Sequence, residues 1–236
     1  MTDKAPAAAP EFDAYRDSYD DAVNEALSFS GLNVDFFTRV KADYLLDLLA
    51  SQLGDSARVR LLDVGCGVGN YHGLLVGKVA SLSGIDTSGA CIARARERNL
   101  GVDYRNYDGG TLPYDDGVFD AAFTICVMHH VPPAHWPRFA AEMARVLRPG
   151  GLVAVFEHNP VNPLTMRVVN DCAFDKDAVL LRRSQTEALL RGAGLGGVQT
   201  RFILSVPAKG RLLRALDGAI SPLGLGAQYM TWGRKA

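Results

Sequence analysis

The chain has no excess of positive charge. Its 25 Lys and Arg stand against 26 Asp and Glu, a formal net charge of −1. That leaves no bulk basic field for a phosphate backbone and argues against a nucleic-acid partner. Long apolar runs are also missing: no stretch approaches the roughly 18 residues of a membrane-spanning helix, so no membrane partner is expected. Cysteine is sparse, with 4 in 236 residues. Cys66, Cys91, Cys126 and Cys172 show neither C-x-x-C pairing nor regular spacing, which excludes a disulfide framework and fits a reducing, cytoplasmic setting. The first ten residues lack a signal-peptide core and read as a flexible tail. With 48% apolar and 22% charged residues, residues 53–236 suit one globular domain, preceded by an N-terminal helical lid over 11–52.

The most informative segment is Leu61-Leu62-Asp63-Val64-Gly65-Cys66-Gly67-Val68-Gly69-Asn70. It reads as a buried strand that ends in an acid and runs into a glycine-crowded turn, where a ligand can lie against bare backbone. The dinucleotide fingerprint G-x-G-x-x-G is not met, because its sixth position is Asn70. An acid ahead of the glycines suits a cationic group such as a sulfonium or amine better than a pyrophosphate. A second apolar stretch ends at Asp86, about 20 residues beyond Asp63, the separation at which an acid reaches ribose hydroxyls in such folds. Asp86 also reads as an N-cap for the helix beginning at Thr87-Ser88.

Further blocks follow in register: Tyr107-Asp108-Gly109-Gly110-Thr111-Leu112-Pro113-Tyr114, Phe119-Asp120 through Val127-Met128-His129-His130, and Arg145-Val146-Leu147-Arg148-Pro149-Gly150-Gly151. Taken together, the stretch from Leu61 to Glu157 resembles the class I S-adenosylmethionine-dependent methyltransferases, and within them the small-molecule branch that includes the ubiquinone and menaquinone enzymes. The resemblance implies an α/β, Rossmann-like, doubly wound sheet of seven strands, mostly parallel, with helices on both faces. Its last strand would be antiparallel and slot between the fifth and sixth.

The resemblance also implies S-adenosylmethionine as cofactor and S-adenosylhomocysteine as product. Gly65, Cys66, Gly67 and Gly69 would pass the methionine part over backbone, with Asp63 helping to hold its ammonium. Asp86 and Thr87 would meet the ribose, Asp108 and Gly109 the adenine, and the carbonyls of Ile125 and Cys126 the sulfonium side. A non-catalytic cofactor-binding regulatory module remains the alternative.

The acceptor side must come from what these blocks leave over. Two Asn-Pro steps, in Asn159-Pro160 and Asn162-Pro163, force turn geometry just after the fifth strand. They place Glu157, His158 and Asn159 near the site, or else serve as a rigid connector capping the next helix. Tyr19, Phe36 and Arg167 are further acceptor-side candidates, against plain helix packing or a solvated face. Arg39 or Lys41 could meet the cofactor's carboxylate. Methyl transfer is an in-line displacement for which a base is optional, and His129, His130 and His158 are the candidate proton acceptors. No i, i+4 pair supports a metal site, and none is expected. A small-molecule acceptor, slightly favouring oxygen, and a monomer or homodimer complete the reading.

Overall fold

Period-2 alternation sets the molecule's two layers. In a computed structural model describing residues 24–25, 32–172, 175, 177–207 and 209–236, seven strands form one sheet in the order β3-β2-β1-β4-β5-β7-β6. They are β1 (Arg60–Val64), β2 (Ser81–Asp86), β3 (Asp103–Asn106), β4 (Phe119–Ile125), β5 (Leu147–His158), β6 (Leu195–Ile203) and β7 (Gln228–Lys235). All neighbouring pairs from β3 to β5 are parallel, and β7 runs antiparallel to both β5 and β6. The last strand therefore lies between the fifth and sixth, as the resemblance implied.

On one face Leu61, Phe123, Ala154 and Phe156 pack under helix α1 (Val34–Leu53) through its Val40, Leu45, Leu48 and Leu49. On the other, Leu62, Ala122, Val153 and Val155 meet α4 (Trp136–Arg145) and α6 (Arg183–Gly192). Consecutive residues thus point to opposite layers, and both faces are covered, as a parallel sheet requires.

Local chemistry fixes the helix starts. Asn33 accepts from Phe36 N at the head of α1, Ser88 from Cys91 N at α3 (Gly89–Arg98), and Asn162 from Leu164 N and Thr165 N at α5 (Pro163–Asp171). Ser88, not Asp86, is the cap of α3. After the glycine turn the chain makes only a single helical turn, α2 (His72–Leu75), with Gly77 at φ 78 beyond it. The first part of the expected N-terminal lid, residues 11–31, lies outside the described residues except for 24–25. A helix without a sequence prediction, α7 (Arg211–Ile220), precedes β7.

Far from the strands' carboxyl edge, Asp120 is gripped by Arg60 and Arg148. These guanidiniums outweigh the burial of the carboxyl and hold it down to about 2. Because the folded-state value lies below the unfolded one, the stabilisation is present above about pH 4 and fades as pH falls toward 2. Allowing for screening around two half-exposed arginines, it amounts to about 1–2 kcal/mol. An Asp120→Asn variant should therefore unfold at lower urea than wild type at pH 7, and the gap should narrow at pH 3.

Candidate active site

The strand register brings the carboxyl ends of β1 to β5 to one edge, and the antiparallel β7 begins there, with Gln228 opposite His158. Asp86, Cys126, His158 and Gln228 thereby gather over the sheet, the place where open α/β sheets bind ligands.

The glycine turn is held from below. Gly65 N and Cys66 N both donate to Ile85 O, and Gly67 N donates to Asp86 Oδ2 at 2.8 Å. Gly65, Gly67 and Gly69 all have positive φ. A Cβ at Gly65 would lie 2.6 Å from the Val127 methyls, whereas one at Gly67 would meet nothing within 4 Å. The turn is thus packed on one side and open at Gly67, where a ligand can approach the backbone.

Asp63 is not aimed at that opening. It is 2% exposed, and its Oδ2 is 3.0 Å from His72 Nε2, while His72 Nδ1 lies 2.5 Å from Tyr104 Oη. Burial pushes its carboxyl up despite the His72 contact. The His72 and Tyr104 rings stack over Gly84 of β2, where a Cβ would come within 2.8 Å of His72. Asp63 is thus buried at the end of β1 with His72 as its partner. Cys66 is buried as well.

Asp86 is half-buried, and its other oxygen accepts from Ser88 N at 2.9 Å. Burial pushes it up, opposed by backbone N–H groups. Thr87 is half-buried beside it, and its carbonyl accepts from Asn106. Asp108 is exposed after β3 and accepts from Gly110 N, with Gly109 at φ 80. After Ile125, Cys126 takes φ 57, uncommon for a residue with a side chain. Its Sγ receives Lys41 Nζ at 3.9 Å and Gln228 Nε2 at 3.6 Å. Lys41 is buried and Arg39 exposed, so the α1 cation at this edge is Lys41. Gln228 Oε1 is buried with no hydrogen-bond partner, an acceptor left open next to Cys126.

The three histidines have distinct settings. His129 Nδ1 lies 2.6 Å from Glu157 Oε2, and Glu157 Oε1 accepts from Met128 N. His129 Nε2 is 3.6 Å from Asp175 Oδ1. Against the cost of burial, these carboxylates raise His129 to about 10, so it is a buried cation. His130 Nε2 is 3.3 Å from the same Asp175 oxygen and its side chain is 15% exposed. Burial, with help from the His129 charge, lowers it below the usual histidine value. Burial likewise lowers His158 to about 4, and its Nδ1 faces Gln228 Nε2 at 3.3 Å. His129, His130 and Asp175 also present ligand atoms within 4.8 Å of one another, close enough for a small cation.

The remaining acceptor-side candidates fare differently. Glu157 is fully buried against His129 and cannot contact an acceptor directly. Asn159 is turned away, because its Nδ2 donates to Gly224 O and Gly226 O. It fastens β5 to the segment ahead of β7, the connector role. Phe36 is half-buried, edge-on to Phe37 and packed on the core. Arg167 is exposed, 3.8 Å from Asp171. Tyr19 lies outside the described residues. Asp175 and Gln228 escaped the sequence reading: Asp175 sits in a stretch without periodicity, and Gln228 gains its position only through the β7 insertion.

Residues 62–155, which carry this edge, match a family model described as a methyltransferase domain. Over those residues the chain carries a methyltransferase domain, in the fold of the class I S-adenosylmethionine-dependent enzymes. This methyltransferase domain is 33% identical over 159 residues to a phthiotriol/phenolphthiotriol dimycocerosates methyltransferase from Mycobacterium leprae, covering 66% of this chain and 57% of that one. A 27-O-demethylrifamycin SV methyltransferase from Amycolatopsis mediterranei is 32% identical over 152 residues, covering 61% and 55%. The chain thus spans little more than half the length of these relatives. In fold it is similar to a solved S-adenosylmethionine-dependent methyltransferase from Thermotoga maritima, described as a possible histamine N-methyltransferase, with TM-score 0.67 at 20% identity over 95% of this chain and 98% of that one.

The family's cofactor is S-adenosylmethionine, and the methyltransferase domain has the features such a molecule needs. It offers open backbone at Gly67, a carboxylate at the end of β2, and the unpartnered Gln228 oxygen beside a buried lysine. Acceptors at both ends with little bulk between them suit a cation joined to a rigid purine.

Proposed function

We propose that this chain transfers a methyl group from S-adenosylmethionine to a hydroxyl oxygen of a small molecule, with His130 accepting the hydroxyl proton. The observation that carries the reading is the approach of His130 Nε2 to Asp175 Oδ1, 3.3 Å apart, beside a second histidine already held as a cation, their rings 4.2 Å apart. A proton acceptor must be neutral and reachable. His129 is charged and sealed, and His158 meets a side-chain amide donor at Nδ1. His130 is uncharged at neutral pH and partly open. The names of the two relatives favour oxygen, since one specifies a triol and the other an O-demethylated compound.

In this reading Asp86 takes the ribose hydroxyls, Asp108 and Gly109 receive the adenine edge, and Gln228 and Lys41 face the methionine end. The bound cofactor supplies a methyl group on a positively charged sulfur. The protein aligns the acceptor oxygen with that carbon, excludes water, and takes the proton on His130. The Glu157–His129–Asp175 array fixes the ring beneath and keeps its protonation constant.

The test is transfer of labelled methyl from the cofactor to paired acceptors that differ only in bearing a hydroxyl or an amine. A mass gain confined to the hydroxyl member is expected, and methylation of the amine alone would overturn the oxygen assignment. The His129, His130 and Asp175 spacing supports a second reading, a cation-assisted transfer. Dialysis against a chelator separates the two: the rate should survive it, whereas a loss restored by added divalent metal would favour the second.

A further inference from the structure

Helix α7 is inside out. Two of its three charged residues face the protein and are fully engaged: Arg214 is 8% exposed and reaches Asp43 at 2.7 Å and Asp47 at 2.9 Å on α1. Asp217 is wholly buried and accepts from Tyr44 Oη at 2.5 Å and from the backbone of Leu204, Ser205 and Val206. Leu204 takes φ 61 there, so that successive N–H groups converge on one carboxylate. This inward face fixes the helix's rotation.

The outward face is therefore apolar by construction. Leu212 is 84% exposed and Leu216 50%, and in the segment that follows the helix Leu223 is 66% and Leu225 62% exposed. Asn162 Nδ2 donates to Leu225 O, which ties this segment to the chain stretch that carries Val161 and Leu164, each over 60% exposed. Scattered surface leucines need no explanation, but a strip of them one turn apart on a rigidly held helix, with more exposed apolar residues on the segment that follows, does. The free charges at the start of α7 are basic: Lys209 and Arg211 are exposed, the acid of α7 is buried, and the half-exposed Asp43 and Asp47 beside the helix are paired with Arg214.

We infer that this strip docks the protein on an anionic lipid surface, lying in the interface and not crossing it. A helix with leucines on one side and lysine or arginine at its border binds headgroups through charge and acyl chains through burial. No described helix is long and apolar enough to span a membrane, which agrees with surface attachment. The strip adjoins the segment that Asn159 fastens to the end of β5, so the docked face borders the active-site edge and an apolar acceptor could enter from the lipid side. The docking is independent of which atom is methylated.

The full chain should co-sediment with vesicles of equimolar phosphatidylglycerol and phosphatidylcholine and release with salt. Vesicles of phosphatidylcholine alone should bind at least about tenfold more weakly. A Leu212→Glu/Leu216→Glu double variant should lose at least about tenfold of the anionic-vesicle binding while keeping its melting temperature within a few degrees and its cofactor affinity, because both side chains are at least half exposed. Lys209→Glu/Arg211→Glu should lose the preference for anionic lipid. Absence of wild-type binding, or binding unaltered by the leucine changes, would overturn the inference. So would a dimer in light scattering that the leucine changes dissolve, since a second copy would then cover the strip.

Discussion

Asp86→Ala should weaken S-adenosylmethionine binding by two orders of magnitude or more in isothermal titration, the largest effect expected of a single change at the cofactor edge. Two losses combine. The carboxylate proposed to hold the ribose hydroxyls disappears, at about 1.5–3 kcal/mol for hydrogen bonds to a charged group. The same carboxylate also accepts from Gly67 N and Ser88 N, so the glycine turn loses its tether and must be ordered at the cofactor's expense. Asp86→Asn separates the two losses: its amide oxygen can still accept from one N–H, so it should fall between wild type and alanine. Unchanged affinity in the alanine variant would remove Asp86 from the cofactor site and with it the assignment of this edge.

His130→Phe should lower kcat by about 10²–10⁴, the usual contribution of a positioned general base, with cofactor affinity within a few-fold of wild type. The pH profile identifies the group. His130 lies below the ordinary histidine value because burial and the neighbouring imidazolium disfavour its charged form. It therefore stays neutral as pH falls through about 6.5, and the acid limb of kcat/KM should appear below that point. Glu157→Gln removes the anion that holds His129 charged. Loss of that neighbouring positive charge should shift the acid limb upward, and a merely structural role for Glu157 would lower the rate without moving the limb. A profile unaltered in His130→Phe would transfer the proton to another group, with His158 next to be replaced.

Much of this edge was legible because the buried strands β1, β2, β4 and β5 combine apolar runs with an acid, glycines or histidines at their carboxyl ends, features that survive in one dimension. Asp86 and Cys126 lie where that pattern put them. What failed to show was any contact made across the sequence. Asp63 looked available to a cation because nothing near it in sequence announced that His72 would fold back onto it. Glu157 and Asn159 were correctly placed at the end of β5, yet their side chains are spent on His129 and on backbone carbonyls 65 and 67 residues away. Helix α7 was invisible for a different reason. Its leucines and its charged residues follow helical spacing, but the usual inference from such a pattern, that the apolar side faces inward, is reversed here.

The small set beneath the glycine turn has a consequence for how sequences of this kind can diverge. Gly84 leaves a gap in the middle of β2 that the stacked rings of His72 and Tyr104 fill from two other elements. None of the three positions can drift alone. A side chain at 84 collides with the rings, a smaller residue at 72 or 104 opens a void, and one at 72 also strips Asp63 of its partner. Across relatives the three should be replaced as a group, so that an alanine or larger residue at 84 coincides with loss of one ring. Transplanting any one of them between homologues should cost more than moving all three together.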